Sequence, residues 1–292
     1  MRHHRITANG IDFSYVEQGD GPLALLLHGM VETPRIYRHL IPVLADAGYR
    51  AVAPSLRAFA PTGLPADGSM TVADLATDAN ALHEALGGDA NAVIIGSDWG
   101  AYATWGALNQ APERWSKAVV ATIPPLRFLR PLDPAMIHKL GHFFFFQMAV
   151  AEQIVPQDDF AYLEWLWDYW SGNVPGVDLT EDIEAGKDTV REPARLRLAL
   201  ELYRQNFPVD TFGTDRWEGG ALLSELPTQP TLYLHGTEDP SVTEESLTEI
   251  VAALPAGSDG LLLKGAGHFP FIERPDEVNE RVRAFLADRP AA

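Results

Sequence analysis

Three residues of the right type for covalent catalysis occur in a fixed order along the chain. Asp98 is the centre of Gly96-Ser97-Asp98-Trp99-Gly100, Asp239 lies in Gly236-Thr237-Glu238-Asp239-Pro240, and His268 ends Gly265-Ala266-Gly267-His268. A carboxylate, a second acid and a histidine can serve as nucleophile, orienting group and base. Each follows a short apolar run of the kind that suits a buried parallel strand: Asn91 to Ile95, Thr231 to Leu234, and Leu261 to Leu263. Residues 101–109 suit a helix, so the pentapeptide reads as a strand–turn–helix elbow. Such a turn needs glycine beside its central residue and thrusts that residue out by the N–H groups of the next helix. Ser97 is off centre and reads as a packing residue. The plain alternative, a Gly-rich turn whose Asp caps a helix, loses ground once the partners downstream are counted.

An aspartate at this position selects a substrate. A serine attacking saturated carbon would leave an ether that water cannot cleave. A carboxylate attacking the same carbon leaves an ester, which an activated water hydrolyses at its carbonyl. Epoxides and alkyl halides therefore fit better than esters or amides. Glu238 competes with Asp239 as the acid, and Asp239 is preferred because it is nearer the next helix.

The elements that must position these groups can be read in order. Asn9-Gly10 between two alternating runs predicts a type I′ hairpin. Leu23 to Leu27 is a buried strand ending at His28-Gly29-Met30. Thr33-Pro34 opens a helix carrying Ile36, Leu40, Val43 and Leu44, and Arg50 to Pro54 is a strand. Thr71 starts a helix with Asp74 three residues on. From about Pro124 to Trp217 the strand pattern gives way to helical, aromatic sequence, including Phe143 to Phe146, Tyr162, Trp165, Trp167, Tyr169 and Trp170. The alternating rhythm resumes at Thr231, a helix follows from Ser241, and the last begins at Pro275. Alternating strands and helices imply a mostly parallel sheet covered on both faces.

Composition narrows the function. A net charge of −18 argues against nucleic acid or an anionic membrane as partner, and no apolar run reaches the length of a membrane span. The chain has no cysteine, so it has no disulfide or thiol chemistry, which fits a cytoplasmic protein.

On His28-Gly29, Leu56-Arg57, the Asp98 pentapeptide, Asp239 and Gly267-His268, the chain resembles an α/β-hydrolase-fold epoxide hydrolase over nearly its whole length. The resemblance implies an α/β-hydrolase fold: a sheet core of residues 1–124 and 218–292 with an inserted helical cap of residues 125–217. It implies an oxyanion hole from the backbone of Met30 and Trp99, where ester hydrolysis builds negative charge. It also implies two cap donors opposite Asp98 for the epoxide oxygen. Glu201 to Asn206 resembles the family segment that carries one of them, which points to Tyr203. His142 is similar to the histidine of a bacterial subgroup in which a His/Tyr pair replaces two tyrosines. Trp99, Phe143, Phe146 and Trp165 are expected to contact a small apolar or aromatic epoxide. No cofactor is implied. His138 and His142 stand four apart but lack further ligands, so no metal is expected, and a homodimer is left open. Val31 stands where many relatives have proline, and Ser55 where they often have aspartate. No acid follows the strand at Ala118 to Ala121, which leaves Asp239 as the relay. The implied reaction is epoxide to vicinal diol. The enzymatic rival is a haloalkane or haloacid dehalogenase with the same nucleophile. However, Met30 replaces the usual halide-binding asparagine, and no arginine stands beside Asp98. A non-catalytic binding protein of the same fold is the third reading.

Overall fold

Asn9 and Gly10 take φ of 47° and 73°, the type I′ geometry that only such residues adopt easily. They join β1 (Arg2–Ala8) to β2 (Ile11–Gln18) as an antiparallel hairpin. This computed structural model describes residues 2–128, 134–211, 220–239 and 244–287. Six further strands run parallel to one another: β3 (Leu23–Leu27), β4 (Arg50–Pro54), β5 (Val93–Ser97), β6 (Lys117–Ala121), β7 (Thr231–Gly236) and β8 (Asp259–Leu263). The order across the sheet is β1-β2-β4-β3-β5-β6-β7-β8, with β2 antiparallel to β4. The order reverses between β3 and β5, so their carboxyl ends open the crevice where ligands of such sheets bind.

Every residue of β3, β5, β6 and β7 is buried, which is why these strands are predominantly apolar rather than alternating. Alternate side chains feed two cores. Leu25, Leu27, Ile94 and Val120 face one way, while Leu26, Ile95, Val119 and Leu234 face the other.

Three helices cross over the first half: α1 (Leu40–Asp46), α2 (Val72–Ala85) and α3 (Trp99–Gln110). Thr71 and Asp74 form a full capping box at α2, each side chain accepting the other's backbone N–H at 3.2 Å. The continuous helix expected from Thr33 is divided into a 3₁₀ turn at Pro34–Tyr37, capped by Thr33, and then α1. Pro42 explains the break. Its ring is tolerated in the first turn of α1 but would clash with the carbonyl four residues back in a longer helix.

Between β6 and β7 the chain is helical and, among the described residues, contains no strand. It comprises α4 (Pro134–Lys139), α5 (Gly141–Gln147), α6 (Ala151–Ile154), α7 (Ala161–Trp170), α8 (Thr180–Val190), α9 (Pro193–Asn206) and α10 (Gly220–Ser224). The expected boundary at 217/218 and the helix start at Ser241 fall outside the described residues. The chain closes with α11 (Glu244–Ala253), α12 (Pro270–Glu273) and α13 (Pro275–Ala287). Among the described residues, no helix is long and apolar enough to cross a membrane.

Candidate active site

β5 continues through Ser97 and α3 begins at Trp99, so the elbow is a single residue. Asp98 has φ 51° and ψ −121°, a conformation that costs a non-glycine residue about 1–3 kcal/mol. The sheet holds it there. Gly100 lies so close to the Leu27 carbonyl that any side chain would collide with it, and Thr122 Oγ1 accepts the Asp98 N–H at 3.3 Å. Ser97 is buried in the ladder opposite Ala121, away from the chemistry.

The turns after β7 and β8 bring the two partners to Asp98. His268 Nδ1 lies 2.7 Å from Asp239 Oδ2, and its Nε2 lies 3.3 Å from Asp98 Oδ2. Asp239 is fully buried while Glu238 is exposed, so only Asp239 orients the ring. The other nucleophile oxygen, Asp98 Oδ1, accepts the Met30 N–H at 2.7 Å. Burial opposes charge on Asp98. The hydrogen bond and charge of His268, with the N–H groups of Met30 and Trp99, outweigh it and hold the carboxyl below its usual range. Burial likewise opposes the imidazolium, yet Asp239 and Asp98 together raise His268 to about 10. The resting site is therefore an imidazolium between two carboxylates.

One largely apolar cavity opens above these groups, lined from the sheet side by Met30, Asp98, Trp99 and His268. His142 and Phe143 of α5, Trp167 and Trp170 of α7, and Tyr203 of α9 form its opposite wall. The rings of His142 and Tyr203 are 5.5 Å apart. Burial drives His142 down to about 3, so it is a neutral ring. Tyr203 is pushed well up by burial and the Asp98 charge, against the Trp99 indole beside its hydroxyl, so it keeps its proton. His138 sits apart from this site, its Nδ1 3.0 Å from the Tyr169 hydroxyl.

Two expected contacts are corrected. Trp165 is 53% exposed and stacks on Tyr169 at the surface. At 100° per residue it faces opposite to Leu163, Leu166, Trp167 and Trp170, which line or back the cavity. Phe146 is fully buried but stands behind the wall, against the rings of His142 and Tyr203, rather than in it.

The loop after β3 contributes more than the backbone of Met30. His28 is fully buried and neutral, brought down to about 4 by burial. Its Nδ1 pairs with the Gly29 carbonyl and its Nε2 accepts the Leu56 N–H at 3.0 Å, tying two strand ends together. Val31 takes φ 55°, strained for a β-branched residue, and its carbonyl is pressed against Gly186 of α8. Glu32 was not singled out from the sequence. It lines the cavity at 2% exposure, accepts the Gly29 N–H, and is raised to about 8 by burial and then by the Asp98 charge. A carboxyl raised in the fold holds its proton more tightly folded than unfolded. Its contribution is thus complete below the ordinary carboxylate pKa and is lost as pH rises through about 8. Glu32→Gln should therefore gain melting temperature over the wild type between pH 5 and pH 8.5. A difference between the two proteins that is constant over that interval would show Glu32 to be charged throughout.

Glu273, buried at the end of α12, braces the turn that carries His268. Its carboxylate accepts the N–H groups of Gly267 at 2.7 Å and Phe269 at 3.3 Å, on either side of His268, and that of Gly172 just past α7. The His268 N–H itself donates to the Trp170 carbonyl at 2.9 Å.

Comparisons with known proteins agree with this architecture. The chain is similar to the protein named "Epoxide hydrolase" of Caballeronia sordidicola, 27% identical over 98% of this chain and 94% of that one. It is 30% identical to "Epoxide hydrolase 4" of Mus musculus over 97% of this chain and 79% of that one. The solved structure of the epoxide hydrolase CorEH superposes with a TM-score of 0.83 at 22% identity, over 98% of both chains. The profile of the alpha/beta hydrolase fold matches residues 22–275, a span that holds all three residues of the Asp98–His268–Asp239 relay, and the chain belongs to that family.

Proposed function

We propose that the protein is an epoxide hydrolase acting on a small, largely apolar epoxide through an ester on Asp98, with the helical insert as its cap. The observation that carries this reading is the division of labour on Asp98. Oδ1 is held by the Met30 N–H, while Oδ2 faces His268 below a wall bearing Tyr203 and His142. Oδ2 attacks an epoxide carbon, the C–O bond opens, and the ring oxygen takes a proton or hydrogen bond from Tyr203 and His142. Oδ1 becomes the ester carbonyl, already seated on the Met30 N–H, with the Trp99 N–H also directed at this carboxyl, to stabilise the tetrahedral oxyanion.

Alkylation also switches on the base. Asp98 is one of the two carboxylates that hold His268 up near 10, and the ester abolishes its charge. The imidazolium then gives up its proton more easily, replacing the one delivered to the ring oxygen, and the neutral Nε2 deprotonates the water that attacks the ester. Diol leaves and Asp98 is restored. Glu32, in the loop after β3 on the sheet side of the cavity, is the group placed to hold that water. The Trp99 indole stands edge-on to Tyr203 at 5.1 Å and 82°. It is thus set against the phenol that an alkoxide needs rather than left open for halide, which favours epoxide over haloalkane. The acidic, cysteine-free composition suits a cytoplasmic place of work.

Isotope labelling tests the route. In a single turnover in ¹⁸O water, the first diol released should carry unlabelled oxygen from Asp98, because water attacks the ester carbonyl. Label in that first diol would mean direct attack by water on the epoxide and reduce Asp98 to a base.

A further inference from the structure

Tyr102, one turn into α3 from the nucleophile, is 4% exposed and forms part of the cavity wall. Its ring leans on Trp99 at 5.3 Å and on Phe207 at 5.6 Å, so it meets the cavity beside these two rings. Among the described residues its hydroxyl makes no hydrogen bond. It also keeps contact with the open volume, unlike the Trp170 indole nitrogen, which is enclosed without a partner. The other polar groups at this centre have work: Glu32 on the Gly29 N–H, Asp98 and His268 on each other, Tyr203 and His142 above them. A phenol left unpaired in an apolar wall costs free energy unless a ligand satisfies it. Burial and the Asp98 charge push its pKa far up, so it can only be a neutral hydroxyl, and beside a carboxylate it serves best as a donor.

We propose that Tyr102 is a specificity residue whose hydroxyl donates to an ether, carbonyl or hydroxyl oxygen on the arm of the substrate remote from the epoxide ring. The proposal rests on the epoxide hydrolase reading and refines its substrate class: an apolar epoxide with one acceptor at a set distance. Apolar contact with Phe207 and Phe143 fills the rest of that arm, and the hydroxyl fixes how deep it enters.

The test is a set of terminal epoxides of equal length: 1,2-epoxyoctane and analogues in which one chain methylene is replaced by oxygen at successive positions. For each, kcat/KM is divided by that of epoxyoctane within the same enzyme, which cancels the general effect of the substitution. In wild type, one oxygen position should stand about tenfold above its neighbours, and in Tyr102→Phe that peak should vanish. A peak of equal height in both enzymes, or a flat series in wild type, would overturn the assignment while leaving epoxide hydrolysis intact. Failure of every epoxide to alkylate Asp98 would instead remove the underlying reading, and the proposal with it. Melting provides an independent check. Tyr102→Phe deletes an unpaired hydroxyl and should melt no lower than wild type, whereas a fall of several degrees would mean the hydroxyl is bonded within the protein and is not free for substrate.

Discussion

His268→Gln enzyme mixed with excess epoxide gains the mass of one substrate molecule, and the peptide that carries it contains Asp98. The first half-reaction needs only the carboxylate and the donors above it, so alkylation continues. The second needs a base, and glutamine can occupy the place beside Asp239 without accepting a proton. Loss of general-base catalysis should slow ester hydrolysis by about 10²–10⁴-fold, enough for the adduct to accumulate and be read by mass spectrometry. An adduct on Ser97 would contradict the geometry of the elbow, in which Ser97 is sealed in the sheet. No adduct, under conditions where wild type turns over, would end the covalent mechanism.

Tyr203→Phe should act on the other half. Its hydroxyl matters when alkoxide charge develops, so alkylation measured by stopped flow should fall by about 10²–10⁴-fold while hydrolysis of a preformed ester changes little. His142→Phe should do the same. The two losses should combine to less than their product, because both groups serve one oxygen. Near-normal alkylation by Tyr203→Phe would take the cap donor role away from it. If wild type then debrominated bromoalkanes and Trp99→Phe abolished that turnover, halide chemistry would replace epoxide opening.

The parts of this site that were legible in the sequence are those written in backbone and order. Asp98 is marked by glycines that the elbow needs, His268 and Asp239 by falling at the ends of later strands, and Met30 by following the His28-Gly29 pair that carries the family resemblance. Side chains that act through three-dimensional surroundings were less visible. Trp165 and Phe146 lie in an aromatic stretch whose composition does not say which face turns inward; the phase of α7 separates Trp165 from Trp167, whereas Phe146 shares the inner face of α5 with His142 and is set apart only by packing behind that ring. Glu32 looks like any loop carboxylate until its burial is known. A carboxylate two residues past the oxyanion donor Met30, in a run with apolar Met30 and Val31, was the available signal. The division of the first helix was readable in Pro42, and the strength of the Thr71 cap only in the reciprocal bonds it makes.

The stitching of His268 to the cap has a mechanical consequence. The amide of His268 hangs from the Trp170 carbonyl, and Glu273 fastens Gly172 to the two residues flanking that histidine. Along this line the roof and the floor of the chamber are one piece. Lifting the roof here would break these hydrogen bonds around His268, so this side is held down. The same bonds keep the His268 ring in place beside Asp239.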